Sequence, residues 1–165
     1  PKIQWVEKRF MALKEVSDVI GNCTGLSRKV LEYSQIMKRV VDSARQPGFS
    51  VASWAPLVEL VAIDEFERVG NFKEVMNWQD YVSFLTNWAM SSDWECSFKR
   101  VTEVGNVVFL ELEERSRTGD YRSVVNSVSV YEFNSAGKIG HIDIYLQMEL
   151  PGSEVLKNYE GVIRA

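Results

Sequence analysis

The stretch VYEFNSAGKI, residues 130–139, decides how the second half of the chain is organised. Its first part is rich in β-branched and aromatic residues, and Ile139 opens another run of the same kind. Between them lies Asn134-Ser135-Ala136-Gly137, a cluster of residues that favour turns. Two such runs separated by a short segment containing glycine are typical of a β-hairpin. The stretch therefore predicts two neighbouring antiparallel strands.

The same pattern extends outward from this hairpin. Turn signals at Gly105-Asn106 and at Thr118-Gly119-Asp120 separate further runs of β-branched and aromatic residues. Together the runs predict a four-stranded antiparallel meander over residues 94–104, 107–117, 121–133 and 139–148. Strands of about ten residues are long, so the sheet must twist and curl, and helices that precede it can cover its concave side.

The first part of the chain carries helical patterns. Apolar residues from Leu26 to Ala44 recur at steps of three and four, with Thr24 before them and Pro47-Gly48 after them. A similar stripe runs from Val6 to Ile20 and stops at Gly21-Asn22. Both patterns predict helices with one buried face.

The middle of the chain is more varied. Ser53, with Pro56 three residues later, predicts a short helix that begins at a serine cap. The pattern of residues 64–72 predicts an extended segment. Asn77 followed by Asp80 marks the start of another helix with an aromatic edge, and residues 153–160 predict a last short helix.

Composition limits the function classes. The chain has 165 residues, which predicts one domain over 1–165, with 1–22 as an N-terminal helical extension. Its net charge of −4 argues against nucleic-acid partners and anionic membranes, since both require clustered positive charge. No apolar run approaches bilayer-spanning length and no charged-then-apolar leader opens the chain, so we expect a soluble cytoplasmic protein without membrane contact.

Metal and cofactor chemistry finds no support in the sequence. Cys23 and Cys96 are far apart, and His141 is the single histidine, so no zinc-ligand spacing is present. No phosphate-binding loop, dinucleotide fingerprint or serine-hydrolase elbow occurs either. We expect no metal and no cofactor, which leaves acid–base chemistry or plain binding.

The order of helices, one isolated strand, a helix and a long meander resembles the NTF2-like superfamily. The likeness is greatest to the SnoaL-like and limonene-epoxide-hydrolase-like branches, which have a similar hairpin with Gly137-Lys138-Ile139, and it covers roughly residues 26–148. The resemblance implies an α+β fold in which a curved antiparallel sheet forms a cone, closed by N-terminal helices around an apolar interior pocket. It also implies a homodimer through the sheet and a small apolar or aromatic molecule as the partner.

The epoxide-hydrolase branch has an Arg-x-Asp motif on a middle strand and a second Asp on the last strand. If the turns fix the register, these positions correspond to Phe109, Glu111 and Ile144, so only one acid is kept. Glu111 is therefore our candidate general acid or base. It alternates with Leu110 and Leu112, and it either enters the pocket or lies on a solvated outer face.

The last strand offers a second candidate group. His141, Asp143 and Tyr145 share one face, and Ile142, Ile144 and Leu146 share the other. A histidine beside an aspartate could transfer protons, with Tyr145 as a further donor. Either this polar row or the aliphatic row must face inward, and the pattern leaves both orientations open.

Large aromatic residues could form the walls of a pocket for a flat ligand, or simply fill the core. They are Trp54, Phe66, Tyr81, Phe84, Trp88, Trp94 and Phe98, with Phe109 and Tyr145 from the meander. The expected function is a cofactor-independent isomerase, cyclase, dehydratase or hydrolase that acts on an apolar or aromatic substrate. The alternative is a module of the same fold that binds a ligand or dimerises without catalysis.

Overall fold

The computed structural model describes residues 14–149. The first half contains helix α1 at Val16–Val19, a 3₁₀ turn at Ile20–Asn22, helix α2 at Gly25–Asp42, a 3₁₀ helix at Val51–Leu57, strands β1 at Glu67–Val69 and β2 at Val75–Asn77, and helix α3 at Trp78–Ser91. The second half contains strands β3 at Asp93–Val104, β4 at Val107–Thr118, β5 at Tyr121–Phe133 and β6 at Ile139–Gln147.

The six strands form one curved sheet in the order β2-β1-β6-β5-β4-β3. Strands β3 to β6 are antiparallel neighbours, which confirms the predicted meander. Strand β1 adds to it in parallel with β6, and β2 lies antiparallel at the edge. The sheet is curved. It is also open, and does not close into a barrel, because the edge strands β2 and β3 do not pair with each other.

The hairpin between β5 and β6 has the turn chemistry that its sequence predicts. The Asn134 side-chain oxygen accepts hydrogen bonds from the backbone N–H groups of Ala136 at 3.1 Å and Lys138 at 3.0 Å. Gly137 has φ 68°, in the left-handed region that a residue with a Cβ rarely adopts. Asparagine and glycine at these two positions therefore hold the two strands in register.

The helix starts agree with the sequence in two cases and differ in one. Helix α2 follows Thr24, and α3 follows Asn77, whose side-chain oxygen accepts a hydrogen bond from the Asp80 N–H at 2.9 Å. The predicted cap at Ser53 is wrong, because Ser50 occupies that place. The Ser53 hydroxyl instead accepts the N–H of Ser50 at 3.1 Å, so the two serines cap each other's backbone.

The segment predicted as extended over 64–72 contains only the short strand β1, and β2 has no counterpart in the sequence analysis. Both strands are three residues long and depend on pairing with a neighbour, which local sequence patterns do not report. Residues 1–13 of the predicted N-terminal extension, and the predicted helix at 153–160, lie outside the described residues.

The core lies between the inner face of the sheet and the helices. Alternation along β4 defines that inner face, because Val108, Leu110 and Leu112 are buried whereas Phe109 is 38% exposed. On β6 Ile142 is buried and Tyr145 is 59% exposed. Helix α2 supplies buried residues against the inner face; they are Val30, Leu31, Tyr33, Ser34, Val40 and Val41.

Candidate functional site

A cavity of about 390 Å³ lies between the inner face of the sheet and helices α2 and α3. Its volume falls in the lower part of the range for small-molecule sites. The walls are largely aromatic and aliphatic, with a few polar groups. The principal lining residues are Tyr33, Met37, Arg68, Phe72, Tyr81, Phe84, Leu85, Trp88, Trp94, Leu112, Glu114, Ser116, Tyr121, Ser123, Val125, Ser129, Tyr131, Ile144, Leu146 and Met148.

Glu114 is a carboxylate on this cavity wall. It lies two residues after Leu112 on β4, so strand alternation places it on the inner face. The indole N–H of Trp94 donates a hydrogen bond to Glu114 Oε2 at 2.8 Å and fixes its orientation. A carboxylate has several lone pairs, so this one bond leaves capacity for a ligand or a proton.

Three tyrosines line the cavity close together. The hydroxyl oxygens of Tyr33 and Tyr81 are 3.2 Å apart, and the rings of Tyr33 and Tyr131 meet edge to face at 5.6 Å between centroids. Burial raises the pKa of Tyr33 and of Tyr131 well above the usual value for a phenol. Both phenols therefore stay protonated at neutral pH, and Tyr33 donates its proton to the Tyr81 hydroxyl.

Arg68 is a cation on the same wall, and its side chain is only 11% exposed. Its Nη1 lies 3.4 Å from Glu74 Oε1, while its Cζ lies 5.2 Å from the centroid of Tyr81 and 5.7 Å from that of Phe84. Aromatic faces attract a guanidinium at these distances. The ion pair and the two rings together hold a positive charge in a wall that is mainly apolar.

Glu111 lies on the other face of the sheet, and does not line this cavity. Its Oε1 accepts a hydrogen bond from Arg100 Nη2 at 2.9 Å, and Arg100 Nε also donates to its Oε2. Hydrogen bonding from Arg100 lowers the pKa of Glu111. The alternation that turns Leu110 and Leu112 inward turns Glu111 outward, so of the two orientations left open by the sequence, the outer one is found.

The polar row of β6 also lies on the outer face. His141 stands between two carboxylates, with Nδ1 3.3 Å from Glu67 Oε1 and Nε2 3.1 Å from Asp143 Oδ1. Ile144 and Leu146 line the cavity instead, because the aliphatic row points inward. Glu111 and Ile144, to which the resemblance assigned the two acid positions of the epoxide-hydrolase branch, are therefore on opposite faces of the sheet.

The aromatic candidates divide between cavity, core and outer surface. Tyr81, Phe84, Trp88 and Trp94 line the cavity. Trp54 is buried in the core, where its indole N–H donates to the Thr86 hydroxyl at 2.9 Å. Phe66 is buried and stacks on Tyr81 with centroids 5.6 Å apart. Phe109 and Tyr145 are on the outer face and partly exposed, away from the cavity.

The sequence analysis missed several polar residues of the cavity, among them Tyr33, Arg68, Glu114 and Tyr131. A signal existed for Glu114, because it follows Leu110 and Leu112 in the same two-residue alternation. Arg68 had no such signal, since the three-residue strand that carries it is too short for a pattern. Tyr33 belongs to the apolar stripe of α2. The stripe predicts that its residues are buried, but it does not indicate which of them line a cavity and which pack in the core.

Over residues 14–149, no group of three or more His, Cys, Asp or Glu side chains is arranged to hold a metal ion. Among the helices of the described segment, none has both the length and the apolar character needed to cross a bilayer.

No protein-family model matches the chain, and no curated protein matches its sequence. Solved structures do match. An NTF2-like protein of unknown function from Cytophaga hutchinsonii is 12% identical, with a TM-score of 0.50 over 76% of this chain and 92% of its own. An LEH-like epoxide hydrolase from Mycobacterium tuberculosis is 15% identical, with a TM-score of 0.50 over 78% of this chain and 90% of its own.

A third match is SalBIII, described as an epoxide hydrolase/cyclase-like enzyme in pyran ring formation in the polyether salinomycin. It is 13% identical, with a TM-score of 0.54 over 73% of this chain and 91% of its own. Identities this low show a common fold and not a common activity. The chain has the NTF2-like fold, which confirms at the level of the fold the resemblance that the order of its elements indicated over roughly residues 26–148.

Proposed function

We propose that the cavity binds a planar, apolar small molecule and that Glu114 transfers a proton on it without a cofactor. The observation that carries this proposal is a single oriented carboxylate on an aromatic wall, in the same cavity as protonated phenols. A carboxylate can take or give a proton, while phenol donors stabilise the negative charge that develops on a ligand oxygen. The reaction is an isomerisation, cyclisation, dehydration or hydrolysis, the classes that the resemblance implied.

The LEH-like epoxide hydrolase and the cyclase-like enzyme that match in structure support this class of chemistry by analogy of fold alone. The catalytic group that we propose differs from the sequence-based candidate. Glu111 is bound by Arg100 on the outer face, whereas Glu114 meets the space that a ligand would occupy. His141 and Asp143 lie outside that space too.

Exchange of hydrogen between ligand and solvent tests the proposal without knowledge of the natural substrate. A panel of fused-ring ketones would be incubated with the protein in D₂O, and deuterium uptake next to the carbonyl followed by mass spectrometry. Glu114→Gln keeps the size of the side chain but cannot accept a proton, so catalysed uptake should fall at least about a hundredfold.

Glu111→Gln is the matched control and should leave uptake unchanged. Full uptake in Glu114→Gln would refute the proposed role. Loss of uptake in Glu111→Gln alone would assign the proton transfer to Glu111, the candidate of the sequence analysis, although it lies on the outer face.

The second candidate function is a non-catalytic ligand-binding module, and the small number of ionisable groups on the cavity wall favours it. Glu114 and Arg68 are the carboxylate and the guanidinium that line the described cavity, and the rest of its walls is mainly aromatic and aliphatic. A compound that binds without any deuterium uptake in the wild-type protein would support this alternative.

We further propose the homodimer that the resemblance implied, through the outer face of the sheet. Leu110 and Ile142 are buried inside the fold and cannot contribute to a dimer interface. Phe109 and Tyr145 are exposed apolar residues on the outer face and can take their place. Sedimentation at micromolar concentration should show a dimer that Phe109→Asp converts to a monomer, and a wild-type monomer would exclude it.

A further inference from the structure

We propose that Arg68 binds the carboxylate of the ligand, so that the ligand of the cavity is a planar, apolar acid. This inference rests on the proposed function, because it takes the cavity as the ligand site. It goes further by assigning a chemical class to the ligand and a residue that selects it. The juxtaposition that supports it is a mostly buried guanidinium close to two aromatic rings on the cavity wall.

The guanidinium is held in place from outside the cavity. Glu74 does not line the cavity, and its Oε2 accepts a hydrogen bond from the Phe72 N–H at 2.9 Å while its Oε1 faces Arg68. Gly70 makes room for this arrangement, since a Cβ there would lie 1.7 Å from Glu74 Oε1. The turn between β1 and β2 thus fixes Glu74, and Glu74 positions Arg68.

This anchor uses only part of the guanidinium. The polar contact to Glu74 is long, at 3.4 Å, and involves Nη1 alone. A guanidinium carries several N–H donors in a rigid planar fork that matches a carboxylate with two parallel hydrogen bonds. Within residues 14–149 the other donors of Arg68, which lines the cavity next to Tyr81 and Phe84, have no hydrogen-bond partner. They are therefore available to a planar ligand that carries its acid group in the ring plane.

Charge in the cavity orients such a ligand. Glu114 on β4 would repel a carboxylate, and β4 is three strands away from β1 in the sheet. An acid group is therefore favoured beside Arg68 and disfavoured beside Glu114. The apolar rings of the ligand then extend along the aromatic and aliphatic walls toward Glu114, where the proposed proton transfer takes place.

A pair of probes of equal shape tests the assignment. Isothermal titration calorimetry would compare 2-naphthoate with 2-acetylnaphthalene, in which a neutral methyl ketone replaces the carboxylate. We expect the wild-type protein to bind 2-naphthoate at least about tenfold more tightly, since hydrogen bonds between two charged groups contribute that much or more. Arg68→Gln should remove this preference and leave the affinity for 2-acetylnaphthalene unchanged.

Two further variants separate the ligand contact from a loss of folding. Arg68→Gln leaves the Glu74 carboxylate without its partner, so the double variant Arg68→Gln/Glu74→Gln removes both charges and should bind like the single variant. Arg100→Gln removes a cation from the outer face, where Arg100 pairs with Glu111, and should keep the full preference for the acid.

The outcomes distinguish this inference from the proposed function. Equal binding of both probes to the wild-type protein would overturn the role of Arg68 and leave the cavity as a ligand site. A preference for 2-naphthoate that survives in both Arg68 variants would overturn it as well. If neither probe binds, both the proposed function and this inference would be overturned.

Discussion

Replacement of Gly70 by alanine tests how the wall of the cavity is built. The added Cβ would lie 1.7 Å from Oε1 and 2.2 Å from Cδ of Glu74, far inside contact distance. Glu74 ends a flexible side chain, so it can swing away without a large backbone shift. It would then give up the hydrogen bond from the Phe72 N–H and the ion pair with Arg68.

The expected change in stability follows from these two contacts. A backbone hydrogen bond to a carboxylate contributes about 1.5 kcal/mol or more, and an ion pair at this long distance contributes about 1 kcal/mol, the upper end of the range for exposed pairs. Alanine also restricts the unfolded chain, which offsets roughly 0.4–1 kcal/mol of that loss. The free energy of unfolding of Gly70→Ala should therefore fall by about 1.5–2 kcal/mol.

Urea unfolding followed by tryptophan fluorescence measures this change. Gly140→Ala is the matched control, since a Cβ at Gly140 has no heavy atom within 4 Å, and its stability should stay the same or rise slightly. In a Glu74→Ala background the further change Gly70→Ala should cost almost nothing, because the clash is gone. An equal loss in both backgrounds would refute the account, since it would show that the clash is not with Glu74.

Two other predictions concern ionisable groups outside the cavity. Because Arg100 holds the pKa of Glu111 below its usual 4.5, the pair stabilises the fold above about pH 4.5, and this contribution is lost as the pH falls through the lower folded value. The loss of stability between about pH 6 and pH 3 should thus be smaller in Arg100→Gln than in the wild-type protein, and equal slopes would contradict the pairing. Burial raises the pKa of the Cys96 thiol to about 11, so iodoacetamide at pH 8 should modify the half-buried Cys23 first. Peptide mass mapping would show this order, and equal labelling of the two cysteines in the folded protein would contradict it.

The meander could be predicted because its sequence is locally consistent. Each strand alternates or is rich in β-branched residues, and each turn has residues suited to it, as Asn134 and Gly137 show in the β5–β6 hairpin. The start of α3 follows from the Asn77 side-chain cap, which is also local, and α2 begins after Thr24, where its apolar stripe starts. Strand β2 escaped notice because three residues carry no period, and pairing with β1 alone makes them a strand.

The candidate site depended on an orientation that alternation leaves open. A two-residue period states that Leu110 and Leu112 share one face and that Glu111 faces the other, but it does not state which face meets the helices. The choice of Glu111 as the candidate acid assumed that its face of β4 is the inner face of the sheet. The structure puts the leucines inside, and the same alternation then brings Glu114 to the cavity.

The amino-acid sequence alone determined the class of the fold, the four long strands and the main helices. It also determined which residues of a strand or helix share a face. These features depend on residues close together in the chain, through backbone preference, turn geometry and apolar period. Only the tertiary structure decided which face became the interior, and it brought Arg68, Tyr33, Tyr81 and Glu114 from four separate elements to one cavity. That decision belongs to packing, because burial of the leucine and isoleucine rows against α2 and α3 removes more apolar surface from water than the opposite orientation could.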